Sequence, residues 1–475
     1  MTQKNAILWF RKDLRLSDNP ALYQAITQGY AILPIYIHDG NAPGEWPPGG
    51  ASKWWLHHSL TALNHSLNEN LCTFSGDAQE IMTRLVKQIN ADAVFWNRAT
   101  TPWQEAQDKS VEKLMDKMGI ECQTYNASLL REPPDLLKDD GTPYRVFTPF
   151  FRAGYLNRDE PNMHQNAPDH IPFAPRPEAC QPLSALGLLP KIPWYKEMKT
   201  QWQPGEDGAQ KRLKAFLKTG LKGYAELRNR PDMENISRLS PHLHFGEISP
   251  RTVWYEATGY ALANNLESDL ETFRSELGWR EFSHTLLHHN PDLPKEPLQT
   301  KFKAFPWENN PHHLQSWQRG KTGIPIVDAG MRQLWREGWM HNRVRMIVAS
   351  FLVKNLRLHW HHGQDWFWDC LVDADLANNA ASWQWVAGCG ADAAPYFRIF
   401  NPVTQGEKFD PKGTYVRKYV HELREMPADY IHKPWDAPQG ICAMANLHLG
   451  ENYPRPLVDL KASRDKALEC YQQIK

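Results

Sequence analysis

The densest chemistry in this sequence lies between Asp373 and Ala394, DADLANNAASWQWVAGCGADAA, where Asp373, Asp375, Asn378, Asn379, Trp383 and Trp385 crowd into one short block. A structural helix seldom carries that set, because each buried polar group must find a partner. Many hydrogen-bonding edges beside flat apolar rings suit a planar heteroaromatic ligand, and a flavin has that shape.

Three further stretches carry related chemistry. Residues 236–251, ISRLSPHLHFGEISPR, contain Ser-Pro steps at Ser240 and Ser249. Serine as N-cap with proline at the first helical position is a helix start. A helix N-terminus beside Arg238, with hydroxyls from Ser237 and Ser240, would take an anion; the plain alternative is two ordinary caps. Tyr224 and Arg228 lie just upstream. In SELGWREF (275–282), Glu276 and Trp279 share a helix face with Arg280 beside them, a carboxyl and a flat ring able to grip a base by edge and by face. WMHNRVRM (339–346) puts Asn342, Arg345 and Met346 on one face and Arg343 on another. Asparagine beside methionine is a poor core pair unless a polar ligand edge lies between them.

Positioning these groups takes more than one core, and 475 residues make two domains the default. Apolar runs at 6–10, 31–38, 71–74, 93–96 and 121–125 read as strands of a parallel sheet. Helical spacing fills 52–68, 78–89 and 103–118. That order predicts a doubly wound, Rossmann-like α/β domain over 1–130, with ligands at the carboxyl ends of its strands. No GxGxxG or Walker A sequence occurs, which disfavours a dinucleotide or P-loop role. Prolines crowd 131–204, read as an ordered connector wrapping the surface. From 205 to 475 the pattern is all-helical, with apolar spacing of three to four at 210–217, 270–287, 326–336, 342–356 and 366–376.

Bulk properties narrow the class. The 54 basic and 54 acidic residues cancel, so no global field marks a nucleic-acid partner. Between Arg319 and Arg357, however, basic residues far outnumber Asp328 and Glu337, a local patch that reads either as a solvated face or as a phosphate contact. Seven cysteines without a CxxC pair read as free thiols in a reducing compartment. The short apolar run before Arg11 is no signal peptide, no run approaches a membrane span, and nothing calls for a metal. A soluble, cytoplasmic protein is expected.

The motifs FRKDLRLSDNPAL, SRLSPHLHFGEISPR, ELGWREF, GIPIVDAGMRQLW, WMHNRVRM, DADLANNAASWQW and DAAPYFRIFNPVTQGEKFD together resemble the DNA photolyase and cryptochrome family over essentially the whole chain. The resemblance implies an N-terminal antenna domain and a C-terminal helical domain holding FAD in a U-shape. By motif, Tyr224, Ile236, Ser237, Arg238, Leu239 and Ser240 would hold the diphosphate and ribose. Asp373, Ala374 and Asp375 would line the flavin, Arg345 would pair with Asp373, and Asn379 would face flavin N5. Plant cryptochromes tend to have Asp at that last position and animal ones Cys, so Asn379 favours a repair enzyme.

The implied activity is that of a deoxyribodipyrimidine photo-lyase, in which excited FADH⁻ lends one electron to a cyclobutane pyrimidine dimer and recovers it once the dimer has split. Photolyases are among the enzymes that extrude their target base from the stack. Glu276 would hydrogen-bond the pyrimidine edge and steady its radical anion. Trp279 and Trp385 would wall the lesion, Asn342 would touch the base edge, and Met346 would pack against the dimer where (6-4) enzymes usually need a histidine pair. Trp383, Trp360 and Trp307 would relay electrons from the surface; plain core packing is the alternative. Arg228, Arg280, Arg343, Arg345, Gln405 and Lys408 would meet DNA phosphates around the lesion contacts Glu276, Trp279 and Asn342, giving affinity that falls with salt. A monomer is expected.

The implied second chromophore is methenyltetrahydrofolate rather than a deazaflavin, although the relevant region departs from the family. It reads GGASKWWLHHSL (49–60) and WNRATTPWQEAQD (96–108), with Trp103-Gln104 or Gln104-Glu105 where some bacterial enzymes have a folate-contacting Asn-Glu pair. A cryptochrome-type blue-light photosensor acting through a partner is the alternative function. Asn379 and the lesion-pocket set weigh against it.

Overall fold

In the computed structural model, which describes residues 3–393 and 397–475, five short segments make one parallel sheet. Ala394, the last residue of the Asp373–Ala394 block, lies outside the described residues, as do Pro395 and Tyr396. The strands are β1 (Lys4–Phe10), β2 (Tyr30–His38), β3 (Cys72–Ser75), β4 (Ala91–Asn97) and β5 (Glu121–Tyr125), in the order β3-β2-β1-β4-β5. β1 and β2 are apolar and buried along most of their length because helices cover both faces of a doubly wound sheet. Helices Pro20–Thr27, Gly50–Ser66, Ala78–Ile89 and Pro102–Lys117 alternate with the strands, close to where spacing predicts them.

The chain winds outward from β1 to β3 and then returns to β4 and β5, so the strand order reverses between β1 and β4. Ligands of such folds bind there, beyond the carboxyl ends of the strands. In this protein the crevice is filled by the protein itself. Buried Arg11 is paired with Asp108 and donates to the Asn97 carbonyl at 2.7 Å. The Asn97 amide donates to Asp13 (2.6 Å) and to Asn19 (2.7 Å), the residue that caps helix Pro20–Thr27. Arg15, also buried, donates to the carbonyls of Gly246, Asp18 and Ala127. A buried polar network thus lies at the strand ends where the sequence pattern places ligands.

By contact the residues group into two units. One comprises Met1–Trp194, Trp202–Lys222 and Ser237–Pro291; the other comprises Tyr195–Gln201, Gly223–Ile236 and Asp292–Lys475. The grouping does not follow cuts at 130 and 204, since helices Glu206–Thr219, Pro250–Asn264 and Glu267–His289 go with the sheet.

The proline-rich connector is ordered and stitched to the first unit. Ile32 of β2 bridges Phe173, and Thr73 of β3 bridges Gln181. Glu281, buried in helix Glu267–His289, accepts from the Leu130 amide (2.9 Å), the Tyr155 hydroxyl (3.2 Å) and Arg280 (3.0 Å). Its burial pushes the carboxyl up to about 7 against the pull of Arg280.

One expectation fails outright: Cys72 and Cys180 form a disulfide, leaving five free cysteines. Sequence spacing gave no sign of it, because the two residues meet only once the connector folds back along β3. Cytoplasmic residence loses the support that a full set of free thiols gave it.

The second unit is helical around an aromatic core that includes Trp317, Trp360 and Trp383. Buried Asp328 accepts from Thr322 (amide and hydroxyl, each 2.7 Å), the Gly323 amide (3.1 Å) and the Tyr453 hydroxyl (2.7 Å), fixing the entry to helix Pro325–Glu337. Gly363 lies where a methyl would fall inside the Trp383 indole, so that ring rests directly on the backbone of helix Trp360–Cys370. Among the described residues no helix is long and apolar enough to cross a membrane.

The disulfide sets a measurable expectation. Unfolded without reductant, five thiols should react with a chromogenic disulfide reagent, and all seven after reduction. Cys72→Ser should lower stability to urea by about 2–4 kcal/mol in oxidising buffer and far less in reductant. Seven reactive thiols before reduction would show that the bond does not form.

Candidate functional site

The spacing at 366–376 predicts one helix, but the structure makes two. Helix Trp360–Cys370 ends, the link 371–375 is non-helical, and helix Leu376–Ala387 begins. The apolar period ran on through Leu371, Val372 and Ala374, but Asp375 is an N-cap and restarts the backbone. Its carboxylate accepts from the Asn378 amide (2.9 Å) and from the Asn378 side chain (2.8 Å). Asp373, Ala374 and Asp375 thus sit, buried, on the connection between two helices rather than inside one.

Asp373 is held by Arg345, whose Nη2 donates to both carboxylate oxygens at 3.1 and 2.8 Å while its Nε donates to the Met340 carbonyl. This is the pairing that the family motif implies. Asn379, one turn into the new helix, donates its Nδ2 to the Gln364 carbonyl at 3.0 Å. A carbonyl can only accept, so the amide must turn its NH2 that way and leave Oδ1 as the outward acceptor. Gln364 is itself fixed by a bond from its Nε2 to the Pro294 carbonyl. An outward amide oxygen at this position fits a ring N–H such as flavin N5–H.

Helix Asn342–Ser350 carries the next group. Its N-cap is His341, whose Nδ1 accepts from the Arg343 amide at 3.1 Å. Burial, then Arg343, Arg345 and Arg228, depress this imidazole to about 3. Asn342 is exposed, while Arg343, Arg345 and Met346 are half-buried. Arg343 donates to Asn229 Oδ1 at 3.2 and 2.8 Å, and Arg228 lies 5.8 Å from the ring of buried Tyr224. Ile236 and Gln405 are half-buried in the same unit, the latter on helix Pro402–Phe409, which also carries exposed Lys408.

The basic patch at 319–357 is largely used internally. Arg332 pairs with Glu422, Arg336 with Glu197, Arg345 with Asp373 and Arg357 with Glu308. Lys354 is fully buried, donates to the Ala387 carbonyl, and is pushed well below the usual lysine range by burial.

Trp383 and Trp360 are buried and Trp307 is half-buried. Trp383 packs edge-on against Phe367 and Trp317. Trp385, half-buried, donates its indole N–H to the Asp392 carbonyl at 3.2 Å.

The first unit carries the remaining residues. Trp279 stacks on Phe147 with centroids 3.8 Å apart and planes 9° off parallel, so one indole face is backed and the ring is half-buried. Glu276 is half-buried one turn earlier on the same helix, and Arg280 is already bonded to Glu281. The two Ser-Pro steps behave differently. Ser249 caps its helix, accepting from the Thr252 amide at 2.9 Å. Ser240 instead starts the five-residue helix Ser240–His244 from inside, with Leu239 at the cap and no side-chain cap bond. Arg238 adopts a left-handed backbone and lays its guanidinium over Trp202 at 4.5 Å. Ser237 Oγ accepts from the Leu239 amide at 3.4 Å.

Sequence reading missed three residues that set this geometry: His341 as a cap, Gln364 and Phe147. Histidine is not among the favoured caps, so His341 passed unnoticed although it adjoins Asn342. Gln364 acts through a backbone carbonyl, which side-chain pattern does not signal. Phe147 lay in an aromatic run, FTPFF, that offered a usable clue.

Residues 6–168 match the family described as DNA photolyase, and residues 273–473 match the FAD binding domain of DNA photolyase. A protein from Agrobacterium fabrum named deoxyribodipyrimidine photo-lyase is 47% identical over 99% of this chain and 98% of its own length. The crystal structure of a bacterial class III photolyase from Agrobacterium tumefaciens matches with a TM-score of 0.96 at 47% identity, covering 100% of this chain and 98% of that one. Cryptochrome-1 of Arabidopsis thaliana is 34% identical over 99% of this chain and 70% of its own length.

The depressed His341 makes stability depend on acid. The unfolded imidazole takes up a proton near its ordinary value of about 6.5, while the folded one does so only at about 3. Acid therefore favours the unfolded chain, and stability present above the first value is lost as pH falls toward the second. Between about pH 7 and pH 4 the loss should be on the order of 3 kcal/mol. His341→Asn, which keeps a cap acceptor, should flatten that slope in urea melts; an unchanged slope would assign it to other groups.

Proposed function

The chain belongs to the DNA photolyase and cryptochrome family, its helical half is an FAD-binding domain, and we propose that within this family it repairs cyclobutane pyrimidine dimers in DNA under blue light. The orientation of Asn379 carries the reading. Its amide is pinned by the Gln364 carbonyl with Oδ1 outward, so the position offers a neutral acceptor where an acid or a thiol would offer a different group. The similarity to a named photo-lyase along nearly the whole chain supports it.

FAD, when bound, supplies one-electron chemistry driven by light. In our reading the chain's own groups do the rest. Asp373, Ala374, Asp375 and Asn379 line the cofactor, with Arg345 holding Asp373 in place. Tyr224, Ile236 and Ser237–Ser240 take its phosphate and ribose end, on the Leu239-capped turn rather than on a serine cap. Trp279, backed by Phe147, presents one open face to a flat lesion. Trp385 forms the second wall and Met346 the packing contact. Glu276 and Asn342 meet the pyrimidine edge.

Arg228, Arg280, Arg343, Arg345, Gln405 and Lys408 contact the DNA backbone, Arg280 being held by its ion pair with Glu281. Trp383, Trp360 and Trp307 return electrons to an oxidised cofactor. A second, light-gathering chromophore completes the proposal, folate being favoured over a deazaflavin.

Repair is tested on an oligonucleotide bearing one thymine cyclobutane dimer, with reduced protein, in blue light and in darkness. Loss of the dimer only in light is the expected result. A bound, reducible flavin without repair would turn the assignment to a photosensor, the reading that similarity to Cryptochrome-1 keeps open.

Trp279→Ala should weaken binding of damaged DNA by about 1–3 kcal/mol, the worth of one stacked base, with flavin content unchanged. Undiminished discrimination against intact DNA would remove Trp279 from the lesion site. Trp307→Phe should slow light-driven reduction of the oxidised cofactor several-fold; a wild-type rate would mean that electrons enter by another route.

A further inference from the structure

The three tryptophans assigned to the relay do not form an unbroken stack. Among the described residues no stacked or edge-to-face pair joins two of these indoles directly. An imidazole fills the outer gap: His359 lies 5.1 Å from Trp307 in an edge-to-face contact and 5.6 Å from Trp360 with planes 28° apart. His361 adds a second ring, 4.0 Å from Trp360 and 4.4 Å from His359.

The backbone fixes the state of His359. It is the N-cap of helix Trp360–Cys370, and its Nδ1 accepts from the His361 amide at 3.2 Å. An accepting Nδ1 puts the imidazole's single proton on Nε2, an assignment made from the hydrogen bond. Protonating Nδ1 would break the cap and set a cation beside His361 and His362 in a half-buried place. Burial, then those two histidines, hold the group down to about 4. Asp365 and Glu296, the acids nearby, act on His361. His359 is therefore a neutral ring wedged between two indoles.

We propose, resting on the relay reading above, that His359 is a positioning residue of the tryptophan relay: its neutral ring bridges Trp307 to Trp360, and a positive charge at this position closes the relay. In the step concerned one electron passes from Trp307 to the vacancy on Trp360. Trp307 is oxidised and Trp360 reduced, no bond forms or breaks, and a thiol reductant in solution then refills Trp307. His359 is nearly equidistant from the two indoles, so a cation there raises the energy of a vacancy on both by similar amounts. The hop between them keeps its driving force, while transfer outward from Trp383 becomes uphill. Charge and bridging thus act at different points of the chain, and variants can separate them.

The test is transient absorption of tryptophanyl radicals after a flash, in FAD-loaded protein, with flavin content and thermal unfolding measured on each variant. His359→Phe keeps a neutral ring and gives up only the cap, so its long-lived radical yield should stay near wild type despite lower stability. His359→Asn keeps the cap and neutrality without a ring, and its yield should fall. His359→Lys should reduce the yield by about tenfold or more, as Coulomb energies at this separation imply.

Wild-type yield in folded His359→Lys would overturn the inference. If that variant does not fold, equal yields in the Phe and Asn variants would overturn it instead. Failure of the relay itself looks different, because Trp307→Phe would then also leave the yield untouched.

Discussion

The bond between Arg345 and Asp373 is the constraint on which the site depends. Asp373 sits on the short link between helices Trp360–Cys370 and Leu376–Ala387, and its carboxylate is almost fully buried. Breaking a buried ion pair by removing one partner costs about 3–5 kcal/mol. Arg345 also grips the Met340 carbonyl, so one guanidinium ties the link to the turn that starts helix Asn342–Ser350. With the link fixed, Asp375 can cap the next helix, and that helix delivers Asn379 to the Gln364 carbonyl. The outward amide oxygen follows from a chain of local bonds, each needing the one before.

Two of the helices that frame this region start on a histidine. His341 and His359 each accept a backbone N–H through Nδ1, and burial, with neighbouring cationic groups, holds each neutral. Around His341 this avoids another cation beside three arginines. Around His359 it avoids one between two indoles. A serine or asparagine would cap as well, but neither would offer a ring to pack against tryptophan.

Much of the fold could be read from the sequence, and for clear reasons. Several of the five strands, β1 and β2 above all, are continuous apolar runs, and each strand is found within about two residues of its observed ends. The helix expected at 366–376 failed because hydrophobic period alone cannot see a cap, and Asp375 is the residue that breaks the period. The Cys72–Cys180 bond and the filling of the β1–β4 crevice depend on segments that meet only in three dimensions. At the site, the family motifs gave Arg345–Asp373 and the place of Asn379. They could not give Gln364, which acts through its backbone, nor show that most of the basic patch is paired within the protein.

The plug at the carboxyl ends of β1 and β4 bears on how this fold can change. Arg11, Asp108, Asn97, Asp13 and Asn19 are tied together by ion pairing and hydrogen bonds that run on to Ala21 and Arg15. Replacing any one strands a buried polar or charged partner, so no single substitution opens the crevice without a loss of stability. Several coordinated replacements would be needed to restore a ligand cavity there. A lineage carrying this plug is held away from the binding position its fold class ordinarily offers, and new ligand specificity in the α/β half has to arise on other surfaces.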